Sequence, residues 1–82
     1  MRMIRFIRRR SPLRVTYSPG ADAAYIYLTG REVSAGRVTV PVPLDDQDHL
    51  PEVILDFEDG RLVGVEVLGA KDGLPADLLG LA

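Results

Sequence analysis

The densest group of potential metal ligands lies between residues 45 and 52. It contains four carboxylates and the single histidine of the chain: Asp45, Asp46, Asp48, His49 and Glu52. A calcium-binding loop needs oxygen ligands at alternating positions, a glycine at its turn and a later bidentate glutamate, and this spacing does not match. We therefore interpret the segment as a solvated polar loop, and we predict neither a metal site nor a cofactor.

Nucleophilic catalysis would require an activated serine, threonine or cysteine beside a base. The chain has no cysteine, and its serines, Ser11, Ser18 and Ser34, fall in turn or loop sequences. The glycines form neither a phosphate-binding loop nor a dinucleotide-binding motif. These residues indicate no catalytic constellation.

Three carboxylates lie inside strand-like stretches, where a close pair could transfer protons: Asp22, Asp56 and Glu66. Each has a structural alternative. Asp22 directly follows a turn and can accept backbone N–H groups there. Asp56 and Glu66 can face solvent or pair with arginine. We predict no catalytic residue and expect a protein that is not an enzyme.

The charge of the chain is unevenly distributed. Six arginines and no acidic residue lie in residues 1–14, whereas the rest carries four basic and twelve acidic residues. We divide the chain into a basic N-terminal arm, residues 1–12, and a single β-rich domain, residues 13–82. The arm could contact nucleic acid, lie against its own domain or be an unstructured terminus. Nucleic-acid contact would use a group of four arginines: Arg5, Arg8, Arg9 and Arg10.

Composition favours a small cytoplasmic protein. The 82 residues are 46% hydrophobic and 27% charged, which is typical of one globular domain with a small core. The lack of cysteine is compatible with a reducing compartment. No apolar run approaches the roughly 20 residues that span a bilayer, and the basic start is not followed by the apolar run of a signal peptide. We expect no membrane contact.

Alternation of apolar and polar residues predicts three strands in the first half of the chain, near 13–17, 23–28 and 36–43. The sequence Ser18-Pro19-Gly20-Ala21 predicts a type II turn with a positive φ at Gly20. The third strand carries Pro41 and Pro43, which cannot donate ladder hydrogen bonds. It is therefore predicted at a sheet edge.

Two further strands, 52–58 and 61–68, flank Asp59-Gly60, the sequence of a type I′ hairpin turn. A short helix is predicted where Pro75 precedes Ala76-Asp77-Leu78-Leu79. The predicted fold is mainly β, in the α+β class: a small antiparallel sheet of about five strands, with two hairpins, a proline-bearing edge strand and a short C-terminal helix.

The second hairpin predicts self-association. With a two-residue turn, residue 57 faces 62, 56 faces 63 and 55 faces 64. Both faces are then apolar, and one short helix can cover only one of them. We predict a homodimer through the second face; the alternative is a monomer in which residues 13–28 cover it. The predicted dimer face consists of Ile54, Val63, Val65 and Val67.

Several motifs in this chain resemble those of the bacterial DUF2283 family of domains of unknown function. They are the stretch from Tyr17 to Ile26, Leu55-Asp-Phe57, the stretch from Asp59 to Leu68, and Leu74-Pro75. The chain departs from the family pattern at Ser18, at Gly20 and in a shorter Phe57-Glu58-Asp59 segment. Six residues of these stretches are expected to shape the turns and the fold: Pro19, Gly20, Asp22, Asp59, Gly60 and Gly64.

The resemblance implies a fold but no established activity; members of the family are suspected to be antitoxin-like partners of small neighbouring proteins. We expect a non-catalytic binding or assembly domain that self-associates, with an unidentified protein as a further partner. The alternative is a nucleic-acid- or toxin-binding regulator that uses the arginine-rich arm.

Overall fold

The fold is one antiparallel sheet with two short helices. The computed structural model describes residues 13–44 and 49–82. Its elements are β1 (Arg14–Ser18), β2 (Ala23–Tyr27), β3 (Val38–Pro41), β4 (Glu52–Glu58), β5 (Arg61–Leu68), α1 (Ala70–Gly73) and α2 (Ala76–Leu79). The strand order is β1-β2-β5-β4-β3. The predicted fold class is confirmed, and α1 is an additional helix that the sequence pattern did not predict.

Strand β3 forms one edge of the sheet, as its prolines predicted. The Val42 amide donates to the Val53 carbonyl oxygen at 2.9 Å. Alternate residues of an edge strand point their amide positions outward, so the nitrogens of Pro41 and Pro43 lie on the solvent side. The missing donors therefore break no hydrogen bond within the sheet.

The first turn differs from its prediction. The glycines with a positive φ among the described residues are Gly60 and Gly69, so the type II turn predicted at Gly20 is wrong. Asp22 adopts the left-handed conformation instead, with φ 52°, and its amide donates to the Pro19 carbonyl oxygen at 3.2 Å. Aspartate tolerates this conformation better than most residues, which allows a four-residue connection between β1 and β2.

The second turn agrees with its prediction. Asp59 has φ 50° and Gly60 has φ 77°, so both central residues have the positive φ of a type I′ turn. This turn joins β4 to β5, the pair of strands with the most extensive pairing in the sheet.

Replacement of Gly60 by valine is expected to lower the free energy of unfolding by at least ~1 kcal/mol, because a β-branched residue resists a positive φ. Urea denaturation measures the change. Gly20→Val is the matched control, since a Cβ there meets no atom within 4 Å and φ is not positive. Equal effects of the two substitutions would contradict the role of the turn conformation.

A β-bulge changes the register of the second hairpin. Phe57 lies opposite Leu62, as predicted, but the register then shifts, and Asp56 lies opposite Gly64 while Leu55 lies opposite Val65. Val63 is the extra residue. Every pairing beyond the bulge moves by one position, so the side chains of β5 exchange faces relative to the prediction.

The predicted dimer face is therefore wrong as a single surface. Ile54 lies opposite Glu66, whereas Val65 and Val67 lie opposite Leu55 and Val53. Because directly opposed residues share a face, Ile54 is on the other side of the sheet from Val65 and Val67. The bulge thus separates an apolar face from a polar face.

The apolar face carries the core at one end. Ala24 and Val67 are buried there against Ala70 of α1, and Leu74 and Leu79 pack around them. The main contacts of α1 are with β2 and β5, and those of α2 are with β1. In the described part of the chain, the helices therefore leave the β3 and β4 half of this face largely uncovered. No helix among the described residues is long and apolar enough to cross a bilayer.

Candidate functional site

The polar face contains a row of residues that crosses all five strands. By register, Arg14 lies opposite Tyr27, Tyr27 opposite Gly64, Gly64 opposite Asp56 and Asp56 opposite Thr39. Directly opposed residues share a face and their side chains interact. This row places a carboxylate, an aromatic ring and hydroxyl groups together on one surface.

Asp56 is the centre of this surface and is only 4% exposed. Its Oδ2 accepts a hydrogen bond from the Tyr25 hydroxyl at 2.6 Å, and its Oδ1 accepts one from the Thr39 hydroxyl at 2.7 Å. Arg37 Nε lies 3.2 Å from Oδ2. A buried carboxylate is stable only with such donors, and here both oxygens have them.

Gly64 makes the approach of Tyr25 to Asp56 possible. A Cβ at residue 64 would overlap the hydroxyl and the ring of Tyr25, so the ring lies directly over the glycine. Burial and then the hydrogen bond to Asp56 raise the pKa of Tyr25 well above its usual value. The tyrosine therefore remains a protonated donor at physiological pH.

Beside this cluster, an arginine is stacked on an aromatic ring. The Arg14 guanidinium carbon lies 3.6 Å from the centroid of the Tyr27 ring, and its Nη1 lies 3.3 Å from Glu32 Oε2. Tyr27 and Tyr25 are in edge contact, with ring centroids 4.7 Å apart. The two tyrosines thus form a continuous aromatic surface.

The tyrosines line an open cleft of about 340 Å³, which we call the polar cleft. Its walls are Tyr25, Tyr27, Glu32, Val33, Arg37, Thr39, Asp56 and Glu66. Aromatic faces and carboxylates are the groups that hold cations, above all guanidinium. Because Arg37 is already paired with Asp56, the other charged walls are the carboxylates Glu32 and Glu66, and these favour recognition of positive charge.

The loop between β2 and β3 forms one side of the polar cleft, and side-chain contacts hold it against β4. Arg31 Nη2 lies 2.5 Å from Glu58 Oε1, and the Ser34 amide donates to the other oxygen of Glu58. These contacts, with the hydrogen bond from Arg31 as the larger cause, lower the pKa of Glu58 below its usual value. The ionised Glu58 thereby positions the loop that carries Glu32.

Asp22 connects the first hairpin to α1. Its Oδ1 accepts hydrogen bonds from the Tyr17 hydroxyl at 2.8 Å and from the Lys71 amide at 2.9 Å. Its carbonyl oxygen accepts the amides of Gly69 and Ala70. The hydrogen bond from Tyr17, followed by that from the Lys71 amide, lowers the pKa of Asp22. The sequence suggested that Asp22 accepts backbone N–H groups at its own turn, whereas the backbone amide that its side chain accepts is that of Lys71, 49 residues away.

Several residues weighed in the sequence analysis lie outside the part of the chain that the structure describes: the predicted nucleic-acid contacts Arg5, Arg8, Arg9 and Arg10, and the loop carboxylates Asp45, Asp46 and Asp48. His49 and Glu52 are both exposed. Among residues 13–44 and 49–82, no group of three or more histidines, cysteines, aspartates or glutamates could hold a metal ion.

Sequence reasoning singled out Asp56 and allowed for an arginine partner, but it did not identify which residues contact the carboxylate. Tyr25, Thr39 and Arg37 come from two other parts of the chain, and only the pairing of β2, β5, β4 and β3 brings them to Asp56. The available signal was their position: Thr39 and Arg37 are on the polar side of the period-two pattern of β3. Without the bulge, however, Asp56 could not be placed opposite Gly64.

Fold and site together define a small α+β domain, an open sheet with a core on one face and a tyrosine-lined polar cleft on the other. A family model described as a protein of unknown function, DUF2283, matches residues 14–71, and the chain belongs to this family. The matched segment includes all five strands and the cluster formed by Asp56 with Tyr25, Thr39 and Arg37. Comparison with curated proteins and with solved structures gave no match.

Proposed function

We propose that this chain is a non-catalytic assembly domain that binds a second copy of itself through the uncovered half of its apolar face. Exposure of large apolar side chains there carries the proposal: Val38 is 61% exposed, Val40 42% and Leu62 39%. Together with Leu55 and Phe57, which lie opposite or beside them, these residues form the β3–β4 patch.

A second copy fits the β3–β4 patch because the patch has no charged member and can complement itself across a two-fold axis. Two such sheets pack face to face about 10 Å apart, and the joined apolar faces form one larger core. Burial of apolar surface contributes about 25 cal/mol per Å². This matters for a chain that buries few apolar side chains among its described residues: Val15, Ala24, Val63, Val67 and Ala70.

Face-to-face packing also suits the edge beside the patch. Two outward prolines, Pro41 at the end of β3 and Pro43 just beyond it, oppose the addition of another strand at that edge. Contact between copies at this end of the sheet must therefore use side chains of the face rather than backbone pairing. The proposed dimer replaces the predicted face of Ile54, Val63, Val65 and Val67 with one that follows the observed register.

The assembly proposal predicts a concentration-dependent dimer. Sedimentation equilibrium at micromolar concentration is expected to give twice the monomer mass of 9.0 kDa. Val40→Asp should raise the dimer Kd by about 100-fold or more, because it would bury an unpaired carboxylate. Val40 is 42% exposed in the monomer, so the fold should persist, as circular dichroism would show.

Leu50→Asp is the matched control, since Leu50 is 45% exposed and lies outside the β3–β4 patch. It should leave the dimer Kd unchanged. A monomeric mass for the unaltered chain, or equal weakening by the two substitutions, would contradict assembly through this patch.

The charge of the N-terminal arm supports a second candidate, a nucleic-acid- or toxin-binding regulator. The arm carries five arginines in residues 1–12 and no acidic residue. Phosphate contacts release counterions, so this function predicts binding that weakens steeply with salt and is lost when Arg5, Arg8, Arg9 and Arg10 are replaced by glutamine. Titration with a labelled oligonucleotide measures it.

A further inference from the structure

Two guanidinium groups already pair with carboxylates of the polar cleft: Arg37, one of its walls, pairs with Asp56, and Arg14 lies at its rim. Arg14 stacks on Tyr27 and pairs with Glu32, so one aromatic face and one carboxylate of the cleft are occupied by an arginine. Arginine is the side chain best suited to such a site, because its planar cation both stacks on rings and pairs with carboxylates. This contact shows the kind of group that the cleft walls accept.

The polar cleft has a third carboxylate besides Glu32 and Asp56. Glu66 is opposite Tyr25 on one side and opposite Ile54 on the other, near the middle of the sheet. It is half-buried and makes no hydrogen bond or ion pair with any residue in the described segments. Next to the Tyr25 ring, it repeats the combination of tyrosine and glutamate that holds Arg14.

Five further arginines precede Arg14, all of them in residues 1–12. Residues 1–12 have a charge of +5, and the remaining residues, with five basic and twelve acidic side chains, have a charge of −7. Twelve residues extend up to about 40 Å. The sheet is five strands wide, and four gaps between strands span only about 19 Å. The segment can therefore reach any point of the polar face from Leu13.

We propose that the polar cleft binds the arginine-rich segment of its own chain, with a guanidinium from Arg8, Arg9 or Arg10 placed between Tyr25 and Glu66. Three observations favour this occupant: the opposite charges of segment and body, the Arg14 contact, and the point at which the segment joins β1. The segment then masks its own positive charge on the acidic body. This inference does not depend on dimer formation, since it uses the opposite face of the sheet.

Two isoleucines of the body make the proposal directly testable, because they report on opposite faces. Ile54 lies opposite Glu66 on the polar face, and Ile26 lies opposite Val65 on the apolar face. The chain has no cysteine, so Ile7→Cys gives a single site for a nitroxide spin label beside Arg8. Isoleucine methyl NMR spectra then measure how strongly the label broadens each methyl signal.

The spin-labelled chain also carries Val40→Asp, which removes self-association. We expect the paramagnetic relaxation enhancement to be about twofold or more stronger at Ile54 than at Ile26. Glu66→Gln should abolish the difference, as should joint replacement of Arg8, Arg9 and Arg10 by glutamine. Salt at about 1 M, where the Debye length is about 3 Å, should also abolish it. Asp77→Asn, an exposed carboxylate on α2, is the control that should retain it.

Equal broadening of the two methyl groups, or stronger broadening of Ile26, would overturn the proposal. So would a difference that survives Glu66→Gln in a variant whose circular dichroism shows an intact fold. Mixing spin-labelled chains with isotope-labelled, unmodified chains tests the same-molecule assignment. If Ile54 of the unmodified chains were broadened as strongly in that mixture as Ile54 of the spin-labelled chain is, the segment would be binding a neighbouring molecule. That result would overturn the proposal.

Discussion

Replacement of Asp56 by alanine is expected to lower the free energy of unfolding by about 3 kcal/mol. The substitution removes the common partner of Tyr25, Thr39 and Arg37. Hydrogen bonds to a charged acceptor contribute about 1.5 to 3 kcal/mol each, and donors left without a partner add a penalty where they are buried. Urea denaturation at one fixed protein concentration measures the loss, because association would otherwise contribute to stability.

Glu52→Ala is the matched control for Asp56. Glu52 is a carboxylate on the same strand and the same face, but it is exposed. Its removal should change the free energy of unfolding by no more than about 0.5 kcal/mol. If Asp56→Ala were as mild as Glu52→Ala, the cluster would be a surface feature rather than an element that holds β2, β3 and β4 together.

The second large effect is expected for Gly64→Ala, which should destabilise the fold by about 2 to 4 kcal/mol. The added methyl group would occupy the position of the Tyr25 ring. The ring must then leave, which breaks its hydrogen bond to Asp56 and its edge contact with Tyr27. In most strands the same substitution would be mildly favourable, because alanine loses less backbone entropy than glycine.

A double-mutant cycle with Tyr25→Ala separates this overlap from other causes. In the Tyr25→Ala background, Gly64→Ala should cost little, which gives a coupling energy of about 2 kcal/mol or more. Gly30→Ala is the control, since a Cβ there meets no atom within 4 Å. Additive effects of the two substitutions would show that the glycine serves some purpose other than room for the tyrosine.

Local patterns predicted the strands because their determinants are local. The bounds of β4 and β5 and the turn at Asp59 and Gly60 agree with the structure, since a type I′ turn depends on two adjacent residues. The edge position of β3 also follows from its own prolines. In each case the residues that decide the outcome are neighbours in sequence.

The bulge was not predictable by the same reasoning. Whether Val63 pairs or bulges depends on how Asp56, Tyr25 and Gly64 pack across three strands, and no single segment contains that information. The conformation of the first turn was predicted wrongly for a related reason. The Asp22 conformation is stabilised by acceptor contacts to Gly69, Ala70 and Lys71, which lie nearly fifty residues away. Asp22 rather than Gly20 therefore takes the positive φ.

The two outer edges of the sheet are chemically unlike, and this limits how copies could join by their backbones. The β3 edge turns proline nitrogens to solvent, whereas β1 has no proline between Arg14 and Ser18. A chain of copies joined head to tail would need a β1 edge to pair with a β3 edge at every junction, and the prolines oppose that step. The edge pairing that remains is β1 of one molecule with β1 of another. This pairing occupies the β1 edge of both molecules, so it ends with two. The sheet therefore lacks the second compatible end that growth into an open fibre requires.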